Sequence, residues 1–360
     1  MAPDTPPTAP DTPPTAPDTP PTAPDARIPT ARLGADGPEV GVQGLGCMGM
    51  SFAYGPTDAD EARATLERAL DLGVTLYDTA DAYGEGENER FLAPFLKAHR
   101  DEVVIATKFA LSFDPDDPKK RIVRNDPDYI RACVDASLRR LGVDTIDLYY
   151  MHRRDRSVPI EETVGVMAEL VAAGKVRRLG LSEVSGGELR AAHAVHPIAA
   201  LQSEWSLFSR DIEQGVVPAA AELGVALVAY SPLGRGFLSG AFVSADKELG
   251  EDDFRQQQPR YTGANAVANA ALLEPLRTVA AAHGATTGQI ALAWVHQRAA
   301  VHGLPVLPIP GTRRRTRVEE NTAATRITLT PDDLALLDPL ADRVAGDRYA
   351  DMTLTSAGRD

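Results

Sequence analysis

The feature that most constrains the fold of this chain is a pattern that occurs eight times in succession. Each unit has a short run rich in β-branched residues, then a polar loop and an amphipathic helix. Such strict alternation implies parallel strands joined by right-handed crossovers. Eight units fit a (β/α)₈ TIM barrel, whereas a doubly wound sheet usually has about five or six strands. After a first strand in GVQGLGC (41–47), we predict strands at 74–78, 102–108, 145–152, 176–182, 199–204, 225–231 and 304–311.

The first predicted strand also carries the spacing G-x-G-x-x-G, at Gly44, Gly46 and Gly49. This spacing is the fingerprint of a Rossmann dinucleotide-binding loop, but only when its last glycine opens a helix that meets the pyrophosphate. Here MSFAYGPT (50–57) intervenes, and helical periodicity begins only near Asp58. We therefore assign the glycines to the first barrel strand, where they leave space at the barrel mouth.

Capping residues mark the predicted helices. Asp58, followed three residues later by Glu61, predicts a capping box at the start of ADEARATLERAL. Asp126 precedes a helical stripe that Gly142 ends. We also predict helices in IEETVGVMAELVAAGK, DIEQGVVPAAAELG and QIALAWVHQRA.

The N-terminal segment differs from the rest of the chain. APDTPPT occurs three times in succession, at 2–8, 9–15 and 16–22, with no large apolar residue after Met1. Because such a segment cannot bury a core, we predict a disordered or polyproline II-like tail over residues 1–29. A ligand for a proline-recognition domain is the alternative for this tail. A barrel domain over 30–360 follows, beginning with a β-hairpin.

Composition limits the classes of partner. The 360 residues include 37 Lys and Arg against 51 Asp and Glu, a net charge of −14, which argues against non-specific binding to nucleic acid or an anionic membrane. No stretch resembles a secretory signal or reaches the ~18 apolar residues of a membrane span. Cys47 and Cys133 are the only cysteines, so we expect no disulfide framework and no metal site. We expect a soluble, cytoplasmic protein that acts on a small molecule. Its oligomeric state is not predicted.

Four polar residues occupy positions where a barrel carries its chemistry, at the carboxyl ends of strands. Asp78 ends the second predicted strand, and Tyr83 lies in the loop that follows it. Lys108 ends the third strand and His152 ends the fourth. Each residue alone has an ordinary structural explanation, as a cap, a packing aromatic, a solvated charge or a core histidine. Together, on three adjacent strand ends, they predict an active site.

These residues lie in DTADAYG, ATKF and YYMHR, and in that context the chain resembles an aldo-keto reductase. GLGCMGMS, LGLSEVS, LQSEWSL, AYSPLGRGFLSG, IPGTRRRTRVEEN and GDRY follow the family's order, so the resemblance covers roughly residues 30–352. The sequences GCMGMS and SPLGRG resemble those of the bacterial and plant branch of the family, which reduces varied aldehydes and ketones. The resemblance implies NADPH-dependent reduction of a carbonyl substrate to an alcohol.

The roles that the resemblance implies agree with the chemistry of the residues. Tyr83 would donate the proton, and Lys108 would lower the tyrosine pKa, because a cationic neighbour stabilises tyrosinate. Asp78 would hold the Lys108 ammonium. His152 would donate a hydrogen bond that orients and polarises the carbonyl oxygen.

The resemblance also implies cofactor contacts along four strand ends. Relatives often have asparagine where Glu183 stands, and a carboxylate can accept from the carboxamide NH₂ but cannot donate to its oxygen. Trp205 stands where relatives often carry tyrosine. The implied contacts are Ser182, Glu183 and Gln202 for the nicotinamide carboxamide, Tyr230 for the ring face, Ser231, Pro232, Leu233, Gly234, Arg235 and Gly236 for the pyrophosphate, and Gly311, Thr312, Arg313, Arg317, Glu320 and Asn321 for the adenosine end.

The adenosine end predicts the choice of cofactor. Three consecutive arginines, Arg313 to Arg315, and then Arg317 stand at the start of a predicted helix. Cations oppose the helix dipole there, whereas a 2′-phosphate between the arginines and the helix N-terminus would explain them. The sequence therefore predicts NADPH rather than NADH. The alternative function is a regulatory protein, similar to the channel β-subunits built on this fold, that binds NADPH with little turnover. The substrate itself is not predicted.

Overall fold

The computed structural model describes residues 27–114 and 116–359, without the side chains of 117–120. The predicted tail over residues 1–29 falls almost wholly outside these residues and stays a prediction. Ile28 is described, is 5% exposed, and donates its N–H to the Leu72 carbonyl at 2.9 Å. Packing against the barrel therefore begins before the predicted boundary. The predicted N-terminal hairpin follows, with antiparallel strands Thr30–Arg32 and Glu39–Gly41.

The eight predicted barrel strands are present in the predicted order. Within the described residues, each pairs in parallel with its neighbours in sequence order to form one sheet. Their bounds are β1 (Leu45–Gly46), β2 (Leu76–Asp78), β3 (Val104–Phe109), β4 (Ile146–Met151), β5 (Val176–Ser182), β6 (Ile198–Glu204), β7 (Ala226–Tyr230) and β8 (Val306–Pro308).

The sheet closes where its first strand meets the chain after its last. Gly44 donates its N–H to the Pro308 carbonyl at 3.0 Å, and Gly46 forms a parallel bridge with Gly311. A Cβ at Gly44 or at Gly46 would lie 2.9 Å from atoms of Ile309. These glycines therefore permit the close approach of two backbones, rather than leaving space at the barrel mouth as the sequence suggested. The closed sheet confirms the (β/α)₈ barrel.

Helices surround the sheet on its outer face. Their bounds are α1 (Ala59–Asp71), α2 (Glu87–His99), α3 (Pro127–Leu141), α4 (Ile160–Ala172), α5 (Gly186–Val195), α6 (Val216–Leu223), α7 (Ala245–Glu248), α8 (Gly263–Ala271), α9 (Leu273–His283), α10 (Thr287–His302), α11 (Arg315–Ala323) and α12 (Pro331–Leu337). One buried cluster lies between sheet and helices, and a second fills the barrel, with Leu33 and Val40 of the N-terminal hairpin among its members.

The helix caps confirm part of the prediction. Asp58 accepts from the backbone N–H groups of Asp60 and Glu61 at 3.0 and 3.2 Å. The capping box itself is wrong, because the Glu61 carboxylate bonds Arg315 of α11 instead. A tertiary ion pair has replaced the local hydrogen bond of a capping box.

A second hairpin was not predicted. Its strands, Leu111–Asp114 and Asp117–Val123, pair antiparallel between β3 and α3. The sequence around its turn, DPDDPKK (114–120), has the composition of a solvated loop, so apolar periodicity gave no signal for this hairpin.

Candidate active site

A buried ion pair joins the ends of β2 and β3. Lys108 is fully buried, and its Nζ donates to Asp78 Oδ1 and, at 2.9 Å, to the Thr79 carbonyl. Burial by itself lowers the pKa of Lys108, but the Asp78 carboxylate and the Tyr83 hydroxyl outweigh burial and raise that pKa overall. The ammonium is therefore charged at neutral pH. Asp78 Oδ2 accepts a second bond, from Gln202 Nε2 at 2.7 Å.

Tyr83 lies beside this pair, in the turn between β2 and α2. Lys108 Nζ is 5.3 Å from the centroid of the tyrosine ring. Burial raises the pKa of Tyr83 above its ordinary value, and the positive charge of Lys108 opposes that rise. The sequence predicted the direction of the Lys108 contribution, but the net shift is upward because desolvation is larger. The phenol is therefore protonated at neutral pH, as a proton donor must be.

His152 completes the group at the end of β4. Its ring is edge-on to the Tyr83 ring, with centroids 5.9 Å apart. Burial, with the charges of Arg153, Lys108 and Arg121, holds the pKa of His152 well below its usual range. The imidazole is therefore neutral, and it can donate a hydrogen bond without carrying a charge. Its Nδ1 is buried with no hydrogen-bond partner among the described residues.

The strand ends beyond His152 bring together the residues predicted for the nicotinamide end. Ser182 ends β5, Gln202 lies on β6, and Tyr230 ends β7. Ser182 Oγ accepts from Arg153 Nη1 at 3.3 Å. The bond to Asp78 fixes the side-chain amide of Gln202, which leaves its carbonyl oxygen to accept from a carboxamide NH₂.

Glu183 differs from these neighbours because its carboxylate already has partners. It is fully buried, forms an ion pair with Arg348 at 3.2 Å, and accepts from the Tyr230 hydroxyl at 2.8 Å. Burial alone would raise its pKa, but Arg348 and Arg153 lower the pKa of Glu183 to about 2.

The segment SPLGRG has an unusual backbone. Ser231, Gly234, Arg235 and Gly236 all have positive φ, at 49°, 53°, 55° and 95°. Residues other than glycine adopt this backbone region at a cost of about 1–3 kcal/mol, and such residues cluster at ligand sites. The Arg235 guanidinium extends from this loop to the hydroxyls of Tyr54 and Tyr349, at 3.1 and 2.8 Å.

Arg313, which the sequence predicts as a ligand of the 2′-phosphate, is hydrogen-bonded to other residues of the protein. The Arg313 guanidinium donates to the carbonyls of Tyr54 and Gly55 at 2.9 and 3.1 Å, and to Thr57 Oγ1 at 2.9 Å. Arg313 therefore fixes the loop between β1 and α1. Its assignment to the 2′-phosphate stays a prediction, and binding would require some of these bonds to change.

The other arginines lie around the first turn of α11. Arg315 pairs with Glu61 at 2.8 Å, and Arg317 pairs with Glu320 at 2.5 Å. Arg314 stands at the N-cap and is exposed. No hydrogen bond or ion pair of its guanidinium occurs within the described residues. Sequence reasoning did not choose Arg314, although its position in the run of three was visible.

Two other residues near the site have structural roles. Trp205 is fully buried, and its Nε1 donates to Glu213 at 3.0 Å, so it packs rather than lining a pocket. Cys47 is also fully buried, and burial raises the pKa of its thiol, so it is no nucleophile. Arg153, Arg348 and Tyr349 contact site residues without having been predicted. GDRY contains the last two.

Comparison with known proteins identifies the family. The model of the Aldo/keto reductase family matches residues 44–342. The chain belongs to this family. It is similar to a glycerol dehydrogenase from Gluconobacter oxydans, with 30% identity over 89% of this chain and 96% of that chain, and a TM-score of 0.74. It is also similar to an aldo/keto reductase from Klebsiella pneumoniae solved with NADP and acetate, with 27% identity, coverage of 88% and 98%, and a TM-score of 0.67.

A third similar structure is a thermostable aldo-keto reductase in complex with the inhibitor epalrestat. It shares 29% identity over 87% of this chain and 100% of that chain, with a TM-score of 0.67. In the part of this chain that the structure describes, no helix is both long and apolar enough to cross a membrane. The same residues contain no cluster of His, Cys, Asp and Glu suited to a metal ion.

Proposed function

We propose that this protein reduces aldehydes or ketones to alcohols with NADPH, and that Tyr83 donates the proton. The observation that supports this proposal is the buried Lys108–Asp78 pair beside a protonated tyrosine and a neutral histidine. Family membership supports the reaction type, and the Klebsiella relative, solved with NADP, supports the cofactor.

The residues present fit this cofactor. The carbonyl oxygen of Gln202 and the hydroxyl of Ser182 suit a carboxamide, and the strained loop 231–236 suits a close approach by phosphate. Bound NADPH would supply the hydride for the carbonyl carbon. Its proposed ligands are Ser182, Gln202, Tyr230, Ser231, Pro232, Leu233, Gly234, Arg235, Gly236, Gly311, Thr312, Arg313, Arg317, Glu320 and Asn321.

The proton has a defined route. The His152 ring donates a hydrogen bond to the carbonyl oxygen and orients it towards Tyr83. Tyr83 transfers its phenolic proton to that oxygen as negative charge develops. The adjacent Lys108 ammonium stabilises the tyrosinate that remains, and Asp78 keeps the ammonium in place.

A steady-state assay tests this function. With 4-nitrobenzaldehyde and NADPH, we expect saturable turnover followed at the nicotinamide absorbance. Tight NADPH binding without turnover, across a broad panel of carbonyl compounds, would contradict the enzymatic function. It would support the alternative, a regulatory protein that binds NADPH with little turnover. The small-molecule panel would also define the substrate class.

A further inference from the structure

The carboxylate of Glu183 has no remaining capacity for a ligand. Oε1 accepts from the Tyr230 hydroxyl at 2.8 Å, from Arg348 Nη1 at 3.2 Å and from the Glu204 N–H at 3.2 Å. Oε2 accepts from the Ser356 N–H and Oγ at 2.9 and 3.3 Å and from Arg348 Nη2 at 3.5 Å. A carboxylate offers about four lone-pair sites, so these donors already fill it.

Burial makes these bonds costly to exchange. The side chains of Glu183 and Arg348 are 0% and 3% exposed. A buried charge that loses its partner costs several kcal/mol. Glu183 also has φ +52°, which is strained for a residue with a side chain and indicates that its surroundings fix it. A nicotinamide carboxamide would have to displace one of these partners.

Glu183 instead ends a chain of hydrogen bonds that crosses the barrel mouth. Arg235 donates to the Tyr349 hydroxyl at 2.8 Å. The hydroxyls of Tyr349 and Tyr230 are 3.2 Å apart, and Tyr230 donates to Glu183. With Tyr349 as the donor to Tyr230, every bond runs in one direction and ends on the carboxylate. Such chains strengthen each member by mutual polarisation.

The same carboxylate holds the C-terminal segment, residues 348–359. Arg348 and Ser356 bond the Glu183 side chain, and Arg359 donates to its backbone carbonyl. Thr355 and Ser356 are buried as a result. One residue therefore connects this segment to the ring proposed to stack on nicotinamide and to the proposed pyrophosphate loop.

We propose that Glu183 is a positioning residue, which fixes the Tyr230 ring and the C-terminal segment over the cofactor site and does not contact the carboxamide. This assignment rests on the proposed function, since it presumes that Tyr230 packs against bound NADPH. It replaces the contact that the family resemblance implied for Glu183.

A double-mutant cycle on NADPH affinity tests the assignment, with fluorescence titration in the absence of substrate. Tyr230→Phe keeps the ring and removes its bond to Glu183, and Glu183→Gln removes the charge that holds the hydroxyl. We expect each to weaken binding about 10-fold, and the double variant to be no weaker than the worse single variant. Asp211→Asn is the matched control. It removes another Arg348 partner, at 3.1 Å, and no bond to Tyr230, so NADPH affinity should change less than about twofold.

Amide hydrogen exchange supplies a second measurement that needs no cofactor. In Glu183→Gln, a peptide covering 350–359 should exchange faster, because the Ser356 N–H loses its charged acceptor. Tyr230→Phe should leave that peptide unchanged. Losses of NADPH affinity that multiply in the double variant, with exchange at Ser356 unchanged in Glu183→Gln, would overturn the proposal. Wild-type protein that failed to bind NADPH would instead contradict the proposed function, and the exchange result would still decide whether Glu183 holds the segment.

Discussion

At the scale of single residues, the site depends on which groups carry charge. Lys108 is charged because Asp78 pairs with it, His152 is neutral because it is buried among cations, and Tyr83 keeps its proton. Each state follows from the surroundings that the fold gives the residue. The chemistry proposed here needs all three states at once.

Tyr83→Phe should remove the proton donor and leave NADPH affinity unchanged. Loss of a positioned general acid typically lowers the rate about 10²- to 10⁴-fold, which steady-state kinetics would measure. Tyr77→Phe is the matched control, because that hydroxyl bonds the Leu66 carbonyl at 3.0 Å, outside the site. Full turnover in Tyr83→Phe would show that another group supplies the proton.

The pH dependence of carbonyl reduction should follow the same tyrosine. Because the acid must be protonated, kcat/KM should be flat through neutral pH and fall as pH rises through the pKa of Tyr83, above its ordinary ~10. Lys108→Met should lower the rate and move that fall to still higher pH, since the opposing charge is lost. If the fall in kcat/KM moved to lower pH in this variant, the role of Lys108 would be contradicted.

At the scale of elements, the first and last helices of the barrel repeat meet across its closure. Arg315 of α11 pairs with Glu61 of α1, and Arg68 of α1 pairs with Glu319 of α11. The arginines at the start of α11 therefore have distinct duties. Arg315 joins two helices, whereas the ion pair that Arg317 forms within the described residues is with Glu320 of its own helix.

Arg317→Ala should weaken NADPH binding and barely affect NADH. A hydrogen bond to a charged group contributes roughly 1.5–3 kcal/mol, or about 10- to 150-fold in affinity. Arg317 is 49% exposed, so solvent screening places the expected loss near 10-fold, shrinking at high salt. Arg315→Ala is the control and should affect both cofactors equally, if at all. Equal losses for both cofactors in Arg317→Ala would exclude a 2′-phosphate contact.

The turn between β2 and α2 contains Asp81, a carboxylic acid whose pKa is unusually high. Burial and the nearby Glu89 raise the pKa of Asp81 to about 7 despite Arg140, and its Oδ1 has no hydrogen-bond partner within the described residues. The folded state therefore binds this proton more tightly than the unfolded state, whose pKa is near 3.8. Stability from this group is present below that value and is lost as pH rises towards 7.

Asp81→Asn should remove this loss. At about 1.4 kcal/mol per pKa unit, the variant should gain up to about 4 kcal/mol in unfolding free energy over wild type between pH 4 and pH 8. Urea unfolding followed by circular dichroism at both pH values would measure it. If the difference in unfolding free energy between the variant and wild type stayed constant with pH, the folded state would not raise the pKa of Asp81.

At the scale of the whole molecule, the barrel could be predicted from sequence because its signal is repeated. Eight apolar strands and their helices give one topology, and the strand-end rule selected Asp78, Lys108 and His152, which the structure places around Tyr83. The second hairpin could not be predicted, since DPDDPKK has no apolar period. Glu61 was assigned to a local partner and Glu183 to the cofactor, whereas Arg315 and Arg348 bond them across more than 150 residues of sequence. The spacing of residues within a local stretch of sequence does not indicate which distant residue will form an ion pair with it.

Deletion of residues 1–26 should leave melting temperature and turnover nearly unchanged. The APDTPPT repeats supply no core-forming side chains, so we expect them to contribute little to stability. Differential scanning calorimetry and the aldehyde assay would compare the two lengths of chain. The deletion should stop before Arg27, because Ile28 is part of the core. A large drop in either quantity would show that the repeats dock on the barrel.

The closure of the barrel also affects how the chain is made. Glu61 and Arg315 are 254 residues apart, and β1 gains its second neighbour only when the region of β8 has been synthesised. At about 5–20 residues per second, a ribosome needs roughly 10–50 seconds to cover that distance. During this interval β1 presents an unpaired edge, which is a template for pairing with other nascent chains. Ribosomes that pause before β8 would therefore favour aggregation, however stable the finished barrel is.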